Sequence, residues 1–314
     1  MISADAIAQA VERLTPLVRR TAVEAAPTLG PNVWLKCENH QLTGSFKIRG
    51  ATNAMLALPL ERRKRGVVTA SSGNHGLGVA HAAQRLGIPA TVFVPSSTDE
   101  SKVRAIRALG ATIDKVGDDC VHTEAYARLV AHQTNRAFLS PYNDPDIVAG
   151  QATVAHELLE QIPNLDAVFV AIGGGGLISG IGAHLKAHRP SVTIVGCSPA
   201  ASPAMHRCIE AGRIIDVPCH PTLSGATAGG VEPGAITFDL VRALVDEYVI
   251  VGETEIAQAM RDVVDHHHML IEGAAGVAVA GYQRLATRYA GQTVAIVLCG
   301  ANVSRATLVK VLAG

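Results

Sequence analysis

Short apolar runs alternate along this chain with longer stretches whose apolar residues recur every three or four positions. The runs predict strands at Val33–Cys37, Val67–Ala70, Ala90–Val94, Thr112–Val116, Ala167–Ile172, Thr193–Cys197 and Thr293–Leu298. The longer stretches predict helices at Ala4–Leu14, Ile48–Leu58, His75–Leu86, Asp99–Leu109, Val121–Gln133, Ile147–Gln161, Leu177–His188, Glu255–His268 and Ala274–Tyr289, with a last one from about Arg305. Strand-then-helix alternation of this kind predicts βαβ units and parallel sheets. Residues 198–234 are rich in Pro, Gly, Ser and Cys and read as loops with one short helix near Ala204–Ala211. The pattern restarts after Pro141-Tyr142-Asn143-Asp144-Pro145, so two α/β units are expected.

Four unusual loops follow strands. They are Gly44-Ser45-Phe46-Lys47-Ile48-Arg49-Gly50, Ser71-Ser72-Gly73-Asn74-His75, Gly173-Gly174-Gly175-Gly176 and Cys299-Gly300-Ala301-Asn302. In open parallel sheets ligands sit beyond the carboxyl ends of strands, so the four loops point to one site. Lys47 stands at a strand-to-helix junction between Phe46 and Ile48. Apolar neighbours desolvate an amine, lower its pKa and free it as a nucleophile toward carbonyl compounds. The alternative is a surface lysine opening a helix. Four glycines before a helix leave bare backbone N–H groups and the positive dipole end facing whatever docks there, which favours phosphate. A dinucleotide fingerprint does not fit, because Ile178 stands where the third glycine belongs and Val195-Gly196-Cys197 offers no acidic residue for a ribose. No Gly-Lys-Ser/Thr occurs, which excludes a P-loop. The Ser71–His75 stretch reads as a helix cap or as a small anion cradle, with Ser72 a candidate acid or base.

Composition narrows the partners. The chain has 314 residues, 48% of them hydrophobic, and its 27 Lys and Arg balance its 27 Asp and Glu. No basic patch or stripe suggests nucleic acid. No apolar run reaches the roughly 18 residues of a membrane span. Six cysteines form no C-x-x-C pair, and no basic segment followed by an apolar run opens the chain, which fits reduced thiols in the cytoplasm. His266-His267-His268 cannot share one metal on a helix, since adjacent side chains diverge, and Cys197, Cys208 and Cys219 with His206 and His220 lack zinc spacings. No metal site is expected.

Taken together, the motifs Ser45-Phe46-Lys47-Ile48-Arg49-Gly50-Ala51, Ser71–His75, Gly173–Gly176 and Cys299–Asn302 resemble, in order and over essentially the whole chain, the fold-type II pyridoxal-phosphate enzymes. The resemblance is to their serine/threonine dehydratase and serine racemase family. It implies a two-domain, tryptophan-synthase-β-like α/β fold, with residues 1–65 and 144–314 forming a large cofactor domain and 66–143 a small one carrying the Ser-Ser-Gly-Asn loop. It implies that Lys47 is bonded covalently to pyridoxal 5'-phosphate and moves the α-proton. By the same resemblance Phe46 packs near the ring, Asn74 meets its 3-hydroxyl, Gly173, Gly174, Gly175, Gly176 and Leu177 hold the phosphate, and Glu272 lies near the ring. Ser71, Ser72, Asn74 and His75 would surround a substrate carboxylate.

The implied reaction removes the β-hydroxyl of a small hydroxy amino acid such as threonine or serine, giving a 2-oxo acid and ammonia. Ser72 occupies the place where racemases of the family keep a second proton carrier, so racemisation on the same site is an alternative. The Cys197-Ser198-Pro199 and Thr227–Gly234 stretches are similar to the hydroxyectoine-utilisation branch, which makes a hydroxyectoine-derived or 3-hydroxyaspartate-type substrate another. Three departures from the family pattern stand out. Cys299, a weak donor, replaces the usual serine at the ring nitrogen. Ser198, Ser202 and Ala204 stand where relatives place acidic cation ligands. Glu232 enters a loop near the substrate end or shapes only a turn. The family also implies a homodimer and, since the chain ends soon after the last motif, no regulatory domain.

Overall fold

A computed structural model describes residues 2–314, the side chain of Cys120 excepted. In chain order the elements are α1 (Ala4–Leu14), β1 (Val23–Ala25), β2 (Val33–Lys36), α2 (Lys47–Ala57), α3 (Leu60–Arg65), β3 (Val67–Ala70), α4 (Asn74–Leu86), β4 (Ala90–Val94), α5 (Glu100–Ala108), β5 (Thr112–Lys115), α6 (Cys120–Gln133) and β6 (Ala137–Phe138). They continue with α7 (Pro145–Gln161), β7 (Ala167–Ala171), α8 (Gly176–His188), β8 (Thr193–Pro199), α9 (Ala204–Glu210), α10 (Ile236–Leu244), β9 (Glu247–Val251), α11 (Glu253–His267), α12 (Gly273–Leu285), β10 (Val294–Val297) and α13 (Arg305–Leu312).

The strands form two sheets. One has the order β1-β2-β10-β7-β8-β9 and is parallel except for the β1–β2 pair; the other has the order β5-β4-β3-β6 and is wholly parallel. The inner strands β4, β7 and β10 are buried at every residue, as parallel strands covered by helices on both faces must be. Their runs of Val, Ile, Phe and Ala, interrupted only by Thr91 in β4, are what made them legible.

Every predicted strand and helix is present, with ends moved by a few residues. The apolar pattern did not reveal β1, α3, β6, α10 or β9. β1 and β6 have three and two residues, too few for a period to show. α3 buries none of its residues, so it carries no apolar stripe. In β9 exposure is mixed, and α10 follows a loop-rich region whose composition masks its apolar Phe238, Leu240, Val241 and Leu244 face.

Two helix crossings place Lys47. Helix α2 meets α7 glycine to glycine: a Cβ on Gly150 would lie 2.6 Å from the Gly50 Cα, and one on Gly50 would lie 2.8 Å from the Ile147 carbonyl oxygen. Helix α7 meets α8 through Gly180, whose added Cβ would lie 2.5 Å from the Val148 carbonyl oxygen. Only residues without a side chain allow backbones this close. The first turn of α2 and the first turn of α8 are therefore locked onto the same central helix.

A buried ionic cluster pins the same region. Arg49 donates to Glu38 (Nε to Oε2, 2.8 Å; Nη2 to Oε1, 2.8 Å) and to Glu157 (Nη1 to Oε1, 2.7 Å), while Lys36 donates to Glu157 (2.6 Å), to Gln161 and to the Thr21 carbonyl. Lys36, Glu38 and Arg49 are wholly buried, two cations facing two carboxylates. Burial drives the Lys36 pKa down. At Glu38 burial works the other way, but Arg49 beside it overcomes burial and holds the carboxyl below its usual range. The cluster ties β2, α2 and α7 together two residues from Lys47.

Candidate active site

The cofactor-binding residues predicted from the sequence converge on one cavity at the carboxyl ends of β7 and β10. It is a narrow cleft, with about 460 Å³ of empty space once its solvent-filled mouth is included. Phe46, Lys47, Asn74, Gly173, Gly174, Gly175, Gly176, Leu177, Glu272 and Cys299 all line it. Tyr142, Ala171, Ala226, Thr227 and Ala274 also line it and were not singled out from the sequence. Tyr142 carried a weak signal, since it sits in the Pro141–Pro145 break between the two units. Thr227 and Ala226 lie in the loop before α10, where no period marks which residues face the cavity.

Lys47 is the first residue of α2, and its amine donates to the Pro141 carbonyl oxygen at 2.6 Å. It also lies 5.2 Å from the centroid of the Phe46 ring. Desolvation pulls its pKa from 10.5 down to about 8, against the opposing influence of Cys299 and Glu272. An amine-directed acylating reagent should therefore label Lys47 of the cofactor-free protein with a midpoint near pH 8. A midpoint near 10.5 would show that the amine is not desolvated. The unfolded lysine keeps its proton up to about 10.5 while the folded one yields it near 8, so this burial weakens the cofactor-free fold below pH 8 and ceases to do so as pH rises to 10.5.

Glu272 faces Lys47 from the loop before α12. Burial lifts its carboxyl to about 7, although the Asn74 hydrogen bond and the Lys47 amine pull the other way. Asn74 Nδ2 donates to Glu272 Oε1 at 2.7 Å. Cys299 is buried, and burial, reinforced by Glu272, raises its thiol well above the usual value, so it stands as a neutral thiol.

The glycine stretch opens α8, with Gly175 at φ +86 as the cap residue. A Cβ on Gly174 would sit 2.4 Å from the Tyr142 ring, and one on Gly173 would sit 2.9 Å from the Thr227 Cα. The bare backbone is thus enforced by close neighbours, and it faces the cavity where the helix dipole favours an anion. A reactive amine at one end and an anion cradle at the other fit an aldehyde cofactor with a phosphate tail.

The Ser71–His75 loop turns out not to be an ordinary helix cap. Gly73 occupies the cap position and no side chain caps α4; the Ser71 hydroxyl instead accepts from the Gly73 N–H at 3.2 Å. Asn74 turns into the cavity. Ser71 and Ser72 stand half-buried beside it, outside the cavity lining. His75 is buried with Nε2 3.0 Å from the Leu139 carbonyl oxygen, and burial, together with the Lys47 charge, drives its pKa to about 3. It is a neutral ring packed behind the loop.

Glu232 forms an ion pair with Arg128 of α6 at 2.7 Å, and its N–H donates to the Tyr142 hydroxyl at 2.9 Å. The loop bearing Glu232 is thereby joined to the smaller sheet's helix and to a cavity residue. Ser202 donates to Cys219 and accepts from the Gly229 N–H, so it serves the fold of that loop. Among the described residues, one trio of possible metal donors gathers, Glu24, Cys37 and His40, with ligand atoms within 4.8 Å of one another and none of them in the cavity lining. His266 and His268 are exposed, and no described helix is long and apolar enough to cross a membrane.

Residues 9–300 match the family described as pyridoxal-phosphate dependent enzyme. The chain is 41% identical over 315 aligned residues to an L-threonine ammonia-lyase of Geobacter sulfurreducens, covering 98% of this chain and 77% of that one. It is 36% identical to an L-threo-3-hydroxyaspartate ammonia-lyase of a Pseudomonas species, with 98% of both chains covered. The processed form of threonine deaminase isoform 2 from Solanum lycopersicum superposes with a TM-score of 0.93 at 30% identity, over 99% of this chain and 88% of that one. With its amine, its glycine cradle and these likenesses, the chain belongs to the pyridoxal-phosphate dependent enzymes, in their fold-type II serine/threonine dehydratase branch, and is a lyase that uses pyridoxal 5'-phosphate.

Proposed function

We propose that this enzyme is a threonine ammonia-lyase, removing the β-hydroxyl and the amino group of L-threonine, and of the smaller L-serine, to give a 2-oxo acid and ammonia. The observation that carries the reading is that the desolvated Lys47 amine and the glycine stretch line one cavity, in a chain similar over nearly its whole length to L-threonine ammonia-lyases.

The residue roles combine the family resemblance with the positions of the cavity residues. The N–H groups of Gly173–Gly176 and Leu177 at the start of α8 would hold the phosphate. Phe46 would pack on the ring, the Cys299 thiol would face its nitrogen, and Asn74 would donate to its 3-oxygen. When bound, the cofactor supplies an electron sink for the charge left on the substrate α-carbon. Lys47, neutral near pH 8, would bond the cofactor aldehyde at rest and take the α-proton during turnover. Taking that proton leaves Lys47 an ammonium, and the departing β-oxygen needs a proton in turn. The cavity holds two groups able to give one, that ammonium and Glu272, whose carboxyl titrates near 7. Ser71, Ser72 and the N–H groups opening α4 would receive the substrate carboxylate, with His75 supporting the loop from behind. A neutral Cys299 thiol facing the ring nitrogen would be a weak donor to it and would leave it unprotonated, which suits elimination better than racemisation.

A substrate panel read by ammonia release tests this reading, with L-threonine, L-serine, L-threo-3-hydroxyaspartate and hydroxyectoine-derived acids as its members. L-threonine is expected to have the highest kcat/KM. Faster turnover of 3-hydroxyaspartate would move the assignment to the activity named for the Pseudomonas relative. Formation of D-isomers in place of ammonia would move it to a racemase.

The cradle has its own test. Gly174→Ala drives a methyl into the Tyr142 ring, an overpacking worth about 1–3 kcal/mol. Cofactor affinity by equilibrium dialysis should weaken by about tenfold or more. Unchanged affinity would remove the cradle from the phosphate site.

We further propose that residues 66–143 form the small domain and residues 1–65 with 144–314 the large one. The separate sheets with separate apolar cores support this, although Ala51, Ala54 and Met55 of α2 pack into the smaller core. A cytoplasmic homodimer is proposed on the resemblance, and light scattering of the purified protein would measure its mass.

A further inference from the structure

We propose that Asn302 is a positioning residue that fixes the amide of Asn74 so that Asn74 can offer the cofactor only an N–H. The inference rests on the reading that Asn74 meets the bound cofactor. Asn302 itself lines no part of the cavity and is exposed.

The geometry starts from a group whose polarity cannot change. The Thr43 carbonyl oxygen is an acceptor only, and Asn302 Nδ2 lies 2.9 Å from it. That contact forces the nitrogen of the Asn302 amide, not its oxygen, to face Thr43. The same nitrogen lies 2.7 Å from Asn74, so the Asn74 atom it meets must be the acceptor, Oδ1. Asn74 Nδ2 then points the other way, to Glu272 Oε1 at 2.7 Å. A chain of three side chains, Asn302 to Asn74 to Glu272, thus carries one hydrogen-bond polarity inward from a backbone carbonyl. Asn74 Nδ2 has two hydrogens, one committed to Glu272, and the other is the donor left for the cavity that Asn74 lines.

The surrounding backbone is built to hold this arrangement. Gly44, at φ +70, leaves room that a Cβ would deny, since it would lie 3.0 Å from Asn302 Oδ1. The Ala301 N–H donates to the Gly44 carbonyl, the Phe46 N–H to the Cys299 carbonyl and the Glu272 N–H to the Gly300 carbonyl. Ser45 and Gly300 form an antiparallel bridge. The segment from Cys299 to Asn302 therefore spans the loop carrying Lys47 and the loop carrying Glu272, and its last residue reaches the start of α4. This gives the asparagine of the Cys-Gly-Ala-Asn motif a task that the cavity lining does not reveal.

The test compares Asn302→Ala and Asn302→Asp by titrating cofactor-free protein with pyridoxal 5'-phosphate and following visible absorbance. Alanine removes the constraint and should weaken cofactor binding by about fivefold, the usual worth of one net hydrogen bond. Aspartate places acceptors against both the Thr43 carbonyl and Asn74 Oδ1. Asn74 then gains by turning over, which presents its oxygen to Glu272 and to the cavity, so a loss of at least about tenfold is expected. The order of affinity should be wild type, then Ala, then Asp. In an Asn74→Ala background the two Asn302 variants should bind the cofactor alike, because the group they act through is gone. A purely structural role would lower the melting temperature without this coupling. If Asn74→Ala weakens cofactor binding while Asn302→Asp binds as wild type, the positioning role is wrong. If Asn74→Ala itself leaves cofactor affinity untouched, the assignment of Asn74 to the cofactor fails first, and the inference with it.

Discussion

Replacing Lys47 by alanine should abolish turnover while leaving the protein folded. The loss is expected to be at least about 10³-fold, since acid–base work by a positioned group alone contributes about 10²–10⁴-fold and Lys47 is proposed to supply the covalent link as well. Two spectroscopic consequences accompany it. The visible absorption of a lysine-bound cofactor should vanish, and the cofactor, held by the glycine cradle alone, should be removable by dialysis. Stability should hold, because the variant removes an amine that is desolvated in the folded state and has one hydrogen-bond partner, the Pro141 carbonyl. A variant that still released ammonia from L-threonine at the wild-type rate would dispose of the mechanism. One that unfolded would instead show that the Pro141 contact holds the two units together.

The second large effect is on stability. Arg49→Met removes the cation that is ion-paired with both Glu38 and Glu157, leaving Thr21 as their neutral link and Lys36 as the cation for two buried carboxylates. Breaking a buried ion pair from one side costs about 3–5 kcal/mol, because the partner charge stays buried. At roughly 2 °C per kcal/mol for a chain of this size, the melting temperature should fall by about 6–10 °C. Arg49→Lys should lose less, keeping the charge while giving up the fork that reaches both carboxylates at once. The cofactor-loaded enzyme should also lose activity, since Arg49 lies on the first turn of the helix that begins with Lys47. A melting temperature within about 1 °C of wild type for Arg49→Met would mean that the cluster contributes specificity rather than stability.

Both substitutions fall in a stretch that the sequence made conspicuous, but for different reasons. Lys47 could be read locally, because the strand before it, the apolar residues beside it and the helix after it are consecutive in the chain. Arg49 could be read as part of the motif, yet its work depends on Glu157, which is 108 residues away. The glycines show the same split. Gly173–Gly176 announce themselves by standing in a row. Gly50, Gly150 and Gly180 are isolated glycines in helices, and only the close approach of α2, α7 and α8 explains why no side chain can stand there. The Ser71–His75 loop was legible as polar and unusual, but not in its division of labour. Asn74 points into the cavity while His75, its neighbour, is buried against Leu139.

Periodicity by itself settled the alternation of buried strands and half-buried helices, because burial on both faces or on one stripe leaves a repeat of fixed length in the chain. It also marked the loops that follow the strands, and so drew out the lysine and the glycine stretch that line the cavity. Tertiary structure alone decided which polar groups meet. Asn74 finds Glu272 198 residues on and Asn302 228 residues on, and a hydrogen bond between such distant residues leaves no period or spacing to read. Protonation was decided largely there too: burial by the cavity walls moves Lys47 to about 8 and Glu272 to about 7, and chain neighbours such as Phe46 supply only part of those walls.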